Sequence, residues 1–174
     1  MKLYFALSLI IFSFIVSAQM DNTRIQEILT KQADTITGIT GKWKFSYKDV
    51  LMFCVTDEIN NRMRIISPIT ETNNLDKELL LDALTANFHS ALDVKYAISN
   101  DILWSVFIHP LKELQDHQLE NVITQVYNAN ITFGTTFSST ELLFGAGGLI
   151  DQKKENKKEV LQKEKSHKLS LIHI

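Results

Sequence analysis

The chain has 174 residues, a net charge of −2 and a hydrophobic fraction of 45%, so it has room for one domain with a substantial core. Its charge is uneven. Residues 19–150 carry ten basic and sixteen acidic side chains, whereas residues 151–168 carry seven basic and four acidic ones. The acidic body argues against nucleic acid as the partner, because phosphate contacts need clustered cations.

Residues 1–18 have the layout of a secretory signal peptide. A short basic start precedes an apolar run over 3–16, and the small residues Ser17 and Ala18 form a cleavage pattern before Gln19. The apolar run is short for a membrane span, and polar sequence follows it at once. We therefore expect cleavage after Ala18, no stable membrane anchor afterwards, and a periplasmic or extracellular location.

The C-terminal end differs in composition from the rest of the chain. Residues 145–168 join a glycine-rich linker to a run of Lys, Glu, Gln and Asn, which is typical of a solvated helix or a disordered tail. Residues 169–174 match the translation of CTGTCTCTTATACACATC, a transposon mosaic end used as a sequencing adapter, so we expect them to be a technical artefact. A genomic copy that encodes the same six residues would contradict this interpretation.

Residues 19–144 predict a single α+β domain. Apolar residues at helical spacing indicate a first helix over 23–36, which two glycines then end. Three strands follow over 42–47, 50–55 and 62–69, with turn residues between them.

A second helix is predicted over 75–92. The residues expected to form its buried stripe are Leu80, Leu84, Phe88, Ala91 and Leu92, with Ala83 beside them. Strands over 94–98 and 102–109 then form a hairpin, and after Pro110 a third amphipathic helix runs over 116–135. The sequence thus predicts a five-stranded antiparallel sheet packed with helices, in the order α-βββ-α-ββ-α.

The strand over 102–109 is apolar on both faces. Trp104 and Val106 point to one face, and Leu103 and Phe107 point to the other. Helices packed on one side of a small sheet leave the other apolar face in water, so a second cover is needed. The candidates are the third helix, which carries Tyr127, a second copy of the chain, or another protein. The possible interaction surface therefore comprises Leu103, Trp104, Val106, Phe107 and Tyr127.

The order of these elements resembles the type III secretion chaperone-like fold. The resemblance is carried by three stretches: ALDVKYAI at residues 91–98, and Trp104 to Leu111 leading into Leu119 to Val126. It covers roughly residues 25–137. Members of this family are small, acidic α+β proteins, commonly dimers, that bind other polypeptides and have no catalytic site. The resemblance therefore implies a protein partner and a homodimer. The secretion signal departs from the family, whose members work in the cytoplasm, so no functional residue is carried over.

The chain offers no recognisable catalytic or metal-binding motif. Cys54, the only cysteine, lies in an apolar run and is expected to be buried. His89, His109 and His117 lack the spacing of a zinc site. The glycines of 145–148 lack the strand and the lysine of a phosphate loop, and no serine lies on a nucleophile elbow. We therefore predict a non-enzymatic protein without a cofactor or metal.

The sequence predicts an exported bacterial protein-interaction module that pairs with itself or with an unidentified protein. One alternative is a carrier or sensor that holds a small apolar ligand between sheet and helix, lined by Trp43, Phe45, Phe107 and Tyr127. Another alternative is an enzyme whose residues are too dispersed for the sequence to reveal. A monomer with an empty apolar pocket would favour the carrier, and a dimer burying Trp104 or Phe107 would favour the interaction module.

Overall fold

A computed structural model describes residues 19–140, so the predictions for residues 1–18, 145–168 and 169–174 lie outside the described part of the chain. The helices are α1 (Asn22–Gln32), α2 (Lys77–His89) and α3 (Asp116–Ile131). The strands are β1 (Thr35–Ile39), β2 (Lys42–Tyr47), β3 (Val50–Asp57), β4 (Arg62–Glu71), β5 (Lys95–Ser99) and β6 (Ile102–His109). They form one sheet in the order β1-β2-β3-β4-β6-β5, which confirms the predicted α+β class and antiparallel sheet.

The predicted count of five strands is wrong, because β1 is a sixth strand. The pattern had assigned this stretch to the end of the first helix, but α1 ends at Gln32 and the β-branched residues that follow favour extended backbone. Gly38 explains the close hairpin with β2: its φ is +126°, and a Cβ there would lie 2.3 Å from the carbonyl oxygen of Lys42. The glycine therefore permits a strand pair rather than ending a helix.

The described chain divides into two compact units, the first made of residues 19–65 and 108–121. α1 begins at Asp21, whose side chain accepts a hydrogen bond from the backbone N–H of Arg24 at 2.8 Å. Arg24 donates from Nε and Nη2 to one oxygen of Asp116, at 3.0 and 2.5 Å, so the starts of α1 and α3 are joined. The buried apolar side chains of this unit include Ile25, Leu29, Trp43, Phe45, Met52, Cys54, Met63, Ile65 and Leu119.

The second unit consists of residues 66–107 and 122–140. Here α3 packs on one face of β6, since the Ser105 hydroxyl donates to the carbonyl of Val126 at 3.2 Å. Asn130 donates to the Ser67 hydroxyl and to the carbonyl of Pro68, both at 2.8 Å. The buried apolar side chains of this unit include Ala83, Ala86, Val94, Tyr96, Leu103, Phe107, Ile123, Val126, Ala129 and Phe137.

After α3 the chain folds back as a strap, residues 132–140. Its Phe137 packs edge-on against Tyr96, with ring centroids 6.0 Å apart, and Phe133 lies 5.2 Å from Phe137 and 5.6 Å from Tyr96. The Tyr96 hydroxyl donates to the carbonyl of Ala129 at 2.9 Å. Burial raises the pKa of Tyr96 to about 12, as expected for a phenol in an aromatic cluster.

Candidate interaction surface

The two faces of β6 have different surroundings. Leu103 and Phe107 are only 2% and 5% exposed and lie on the same face as Ser105, which contacts α3. The third helix is therefore the cover of this face. The prediction that Leu103 and Phe107 belong to an interaction surface is corrected, because both are core side chains that no partner reaches in the folded chain.

The opposite face of β6 carries Trp104 and Val106, which are half-buried. In the β5–β6 hairpin, Trp104 lies opposite Ala97 and Val106 lies opposite Lys95. The indole N–H of Trp104 donates to the carbonyl of Ser99 at 3.1 Å. Tyr127, on α3, is also half-buried. A role in partner contact for these three residues stays a prediction.

Helix α2 exposes a row of large apolar side chains that sequence reasoning placed incorrectly. Leu81 is 53% exposed, Leu84 63% and Phe88 78%, so the prediction that Leu84 and Phe88 are buried is wrong. The residues that α2 buries are the small Ala83, as predicted, and Ala86. Leu81, Leu84 and Phe88 lie at positions i, i+3 and i+7, so they form one row on the helix, here called the α2 stripe.

The sequence nevertheless contained a signal for this surface. α2 carries leucines at 79, 80, 81 and 84, which is more large apolar surface than one face of a helix can bury. A helix that is apolar on most sides is expected to be covered on more than one side. A single buried stripe is predicted on the face that carries Leu84 and Phe88. The face of α2 that is buried carries the small residues Ala83 and Ala86.

Two local features fix the position of α2. Asp76 caps its start by accepting a hydrogen bond from the N–H of Leu79 at 2.8 Å. Near its end, the Asn87 side chain accepts from the N–H of Tyr96 at 2.7 Å and donates to the carbonyl of Tyr96 at 3.2 Å. These bonds hold α2 against the backbone of β5, while the α2 stripe stays exposed.

Charged side chains lie at both ends of α2. Its N-terminal half carries Asp76, Lys77 and Glu78, with Asp82 one turn further on. At its C-terminal end, Lys95 of β5 donates to the carbonyls of Asn87, at 2.8 Å, and of Leu92. Burial lowers the pKa of Lys95, although neighbouring Asp93 opposes that shift. The N-terminal half of α2 therefore has a net negative charge, and at its other end one lysine, Lys95, lies close to Asp93.

The structure gives the surroundings of two of the remaining candidates for chemistry, Cys54 and His109. Cys54 is fully buried, and desolvation raises the pKa of its thiol to about 12. Nδ1 of His109 lies 2.7 Å from the carbonyl oxygen of Pro110. Among residues 19–140, no three His, Cys, Asp or Glu side chains come together as a metal site.

The aromatic residues of the predicted carrier pocket are mostly core residues. Phe45 and Phe107 are 1% and 5% exposed, and Tyr127 is half-buried. Trp43 lines a surface cavity of about 350 Å³ whose other lining includes Gln26 and Thr30. A larger cavity, of about 680 Å³, lies at the start of α1 and is lined by Gln19, Asp21, Thr23, Arg24, Glu27, Gln115 and Asp116. These cavities carry many polar groups, which an apolar ligand would leave without partners.

The element order and the helix-covered sheet define a type III secretion chaperone-like fold, as the sequence predicted. The chain resembles the Yersinia pestis type III secretion chaperone SycH, solved in complex with a stable fragment of YscM2, with a TM-score of 0.50 and 14% identity over 65% of this chain and 98% of that one. It also resembles SchA from the structure of the HopA1–SchA chaperone–effector complex, with a TM-score of 0.51 and 10% identity over 64% of this chain and 90% of that one.

No protein-family model and no curated protein matches the sequence. Within residues 19–140, no helix is long and apolar enough to cross a membrane.

Proposed function

We propose that this protein is an exported, non-enzymatic protein-interaction module that pairs with a second copy of itself through the α2 stripe. The observation that carries the proposal is the exposure of Leu81, Leu84 and Phe88 in one row. Exposed large apolar side chains in a contiguous row are typical of protein contact sites. The structural neighbours support protein binding in general, since both were solved as complexes with other proteins.

The charges favour a second copy as the occupant. In a two-fold pair whose axis is perpendicular to α2, the two helices run antiparallel, so the N-terminal end of each helix lies near the end of the other helix that is beside Lys95. Asp76 and Glu78 then approach the partner copy's Lys95, and the helix dipoles oppose each other favourably. The same contacts are made twice because the interface is self-complementary.

The small size of the α2 stripe limits the expected affinity between two copies of the chain. Burying a Leu or Phe side chain fully contributes about 1.5–3 kcal/mol. Three such side chains per copy form a small interface. Because association also costs translational and rotational freedom, we expect a concentration-dependent equilibrium rather than a permanent dimer.

Export is the second part of the proposal, and it comes from the signal-peptide pattern of residues 1–18. The contacts at the start of the described chain are compatible with cleavage after Ala18. Met20 is 3% exposed and Asp21 caps α1, so a chain that begins at Gln19 keeps both features.

The experiment is a measurement of solution mass against concentration for the chain from Gln19 to its end. We expect a monomer–dimer equilibrium that the double variant Leu84→Ser/Phe88→Ser shifts to the monomer. The matched control is Ile59→Ser, which removes an apolar side chain that is 95% exposed in the turn between β3 and β4. A wild-type chain that stays monomeric at every concentration would overturn the self-pairing.

A further inference from the structure

We propose that one face of the sheet in the first compact unit binds an anionic phospholipid surface. Four basic side chains surround an apolar row on this face, here called the basic sheet face: Lys42, Lys44, Arg62 and Arg64 around Leu51, Phe53 and Val55. The proposal concerns a different surface from the α2 stripe, and its choice of a membrane rests on the proposed export.

Strand β2 supplies the first pair of basic residues. Its buried residues alternate with Lys42 and Lys44, which are exposed and therefore point away from the core. β3 pairs with β2 so that Val55 lies opposite Lys42 and Phe53 lies opposite Lys44. Both lysines therefore stand beside the apolar row of β3.

Strand β4 supplies the second pair. It is the neighbour of β3 on the other side, and it follows β3 after a turn over 58–61. Arg62 and Arg64 are exposed and alternate with Met63 and Ile65, which are 1% and 0% exposed. Because neighbouring strands lie about 4.8 Å apart, the two basic rows are about 10 Å apart, on either side of β3.

The charges of the basic sheet face are not neutralised by neighbouring acids. None of its four basic side chains forms an ion pair with another residue of 19–140. The acidic residues within 35–65 lie at turns or at the end of β3: Asp49, Asp57 and Glu58. The Asp57 carboxylate accepts hydrogen bonds from the backbone N–H and the side-chain amide of Asn60, at 3.0 and 2.7 Å. This face is therefore positive, although residues 19–150 carry more acidic than basic side chains.

The apolar row contributes little exposed surface. Leu51 is 37% exposed, and Phe53 and Val55 are half-buried. A partner held mainly by apolar burial would gain little here, whereas a negatively charged partner meets four cations at once. Each basic residue near an anionic membrane strengthens binding by about fivefold. We therefore expect peripheral, salt-sensitive binding that charge dominates.

Among negatively charged partners, a membrane is favoured over a nucleic acid. An exported bacterial protein meets phospholipid surfaces, whereas nucleic acids are mainly inside the cell. Single strands that bind to a sheet also stack their bases on exposed aromatic rings, and Phe53 is half-buried. An acidic polypeptide and a nucleic acid are both outcomes of the test below.

The first test measures co-sedimentation of the chain from Gln19 to its end with vesicles, at a concentration where the chain is monomeric. We expect binding to vesicles of equal parts phosphatidylcholine and phosphatidylglycerol, and none to phosphatidylcholine alone. Lys42→Gln/Lys44→Gln should lower the vesicle affinity at least about tenfold. The matched control Lys31→Gln/Lys112→Gln removes two exposed lysines outside the basic sheet face and should change the affinity less than about twofold, because salt screens distant charges.

Arg62→Gln/Arg64→Gln should reproduce the loss from the other side of β3. The basic side chains of residues 151–168 are present in every variant, so the differences report on the basic sheet face alone. Equal losses in the lysine variant and in its control would overturn the proposal, as would a wild-type chain that does not bind the anionic vesicles.

The second test separates the membrane from other partners and from self-pairing. Polyglutamate or single-stranded DNA, at the same concentration of negative charge as the vesicle lipid, should displace less than half of the bound chain. Displacement of most of it would overturn the membrane as the partner. Leu84→Ser/Phe88→Ser should bind vesicles as wild type does, because the α2 stripe is not used. Vesicle binding by a chain that never dimerises would uphold this proposal and overturn the self-pairing, and a loss of binding in Leu84→Ser/Phe88→Ser would overturn the basic sheet face as the site.

Discussion

The side chain of Asn87 hydrogen-bonds the backbone of Tyr96 in both directions. Its Oδ1 accepts from the Tyr96 N–H at 2.7 Å, and its Nδ2 donates to the Tyr96 carbonyl at 3.2 Å. β5 is the last strand of the sheet, and an unpaired edge is a template for uncontrolled strand pairing. The Asn87 side chain provides hydrogen-bond partners for two backbone groups on that edge. The same bonds fix α2 in the position that leaves the α2 stripe exposed.

Replacing Asn87 should therefore destabilise the fold. We expect Asn87→Ala to lower the free energy of unfolding by about 1–3 kcal/mol, because two backbone groups of Tyr96 lose their partner. Urea unfolding measures the change. Asn73→Ala, at an exposed position whose amide donates to the Glu71 carboxylate, is the control and should change stability by less than about 0.5 kcal/mol. Equal unfolding midpoints for the two variants would show that the bonds to Tyr96 contribute nothing.

Phe137 holds the strap in place, and its loss should be costly. It is 8% exposed and packs against Tyr96 and Phe133. We expect Phe137→Ala to lower the free energy of unfolding by about 3–5 kcal/mol, the usual cost of removing a buried phenylalanine. Phe88→Ala is the matched control, because it deletes the same group from a site that is 78% exposed. A control effect as large as that of Phe137→Ala would contradict the assignment of Phe88 to the surface.

Stability should fall at alkaline pH through Cys54. Burial raises the pKa of this thiol from 9.0 to about 12, so the folded state keeps a proton that the unfolded state loses. The resulting stabilisation is complete below pH 9 and is lost as the pH rises towards 12. Tyr96, whose pKa burial raises from 10.0 to about 12, acts in the same direction at higher pH.

We therefore expect the unfolding free energy of wild type to decline from pH 9 upward more steeply than that of Cys54→Ala. Comparing the two slopes cancels the contribution of groups that both proteins share. Tyr96→Phe should reduce the decline only above its own unfolded value of 10.0. Parallel curves for wild type and Cys54→Ala would mean that the thiol is not protected by burial.

Export predicts a defined mature N-terminus. Expression of the full chain in a bacterium should give an exported product that begins at Gln19, as intact mass and N-terminal sequencing would show. Ala18→Lys should block processing, because the cleavage site needs a small residue at that position. A cytoplasmic product that keeps residues 1–18 would contradict the proposed location.

Sequence pattern predicted most of the fold because the strands alternate clearly and the turns carry turn residues. The pattern does not identify β1, since Ile36 fits a helical row as well as a strand and Gly38 is also typical of a helix end. Only the pairing of Ile36 with Phe45, which is a contact between distant positions, distinguishes the two.

The candidate surface was predicted only in part. Helix α3, one of the predicted covers, covers the face of β6 that carries Leu103 and Phe107, whereas the exposed apolar row lies on α2 and not on the sheet. Periodicity cannot choose between two apolar faces of one helix. The choice depends on Ala83 and Ala86, whose small side chains allow close packing on one side and leave Leu84 and Phe88 outside.

Disulfide trapping of Leu84→Cys tests the self-pairing through α2 most directly. Leu84 is the middle residue of the stripe, so an antiparallel two-fold pair places it against its own copy, whereas native Cys54 is buried and does not compete. We predict that mild oxidation yields a covalent dimer through residue 84, and that the control Ile59→Cys does not, although residue 59 is the more exposed of the two. Cross-linking of Leu84→Cys no faster than that of Ile59→Cys, at concentrations where the chain is dimeric, would contradict pairing through α2.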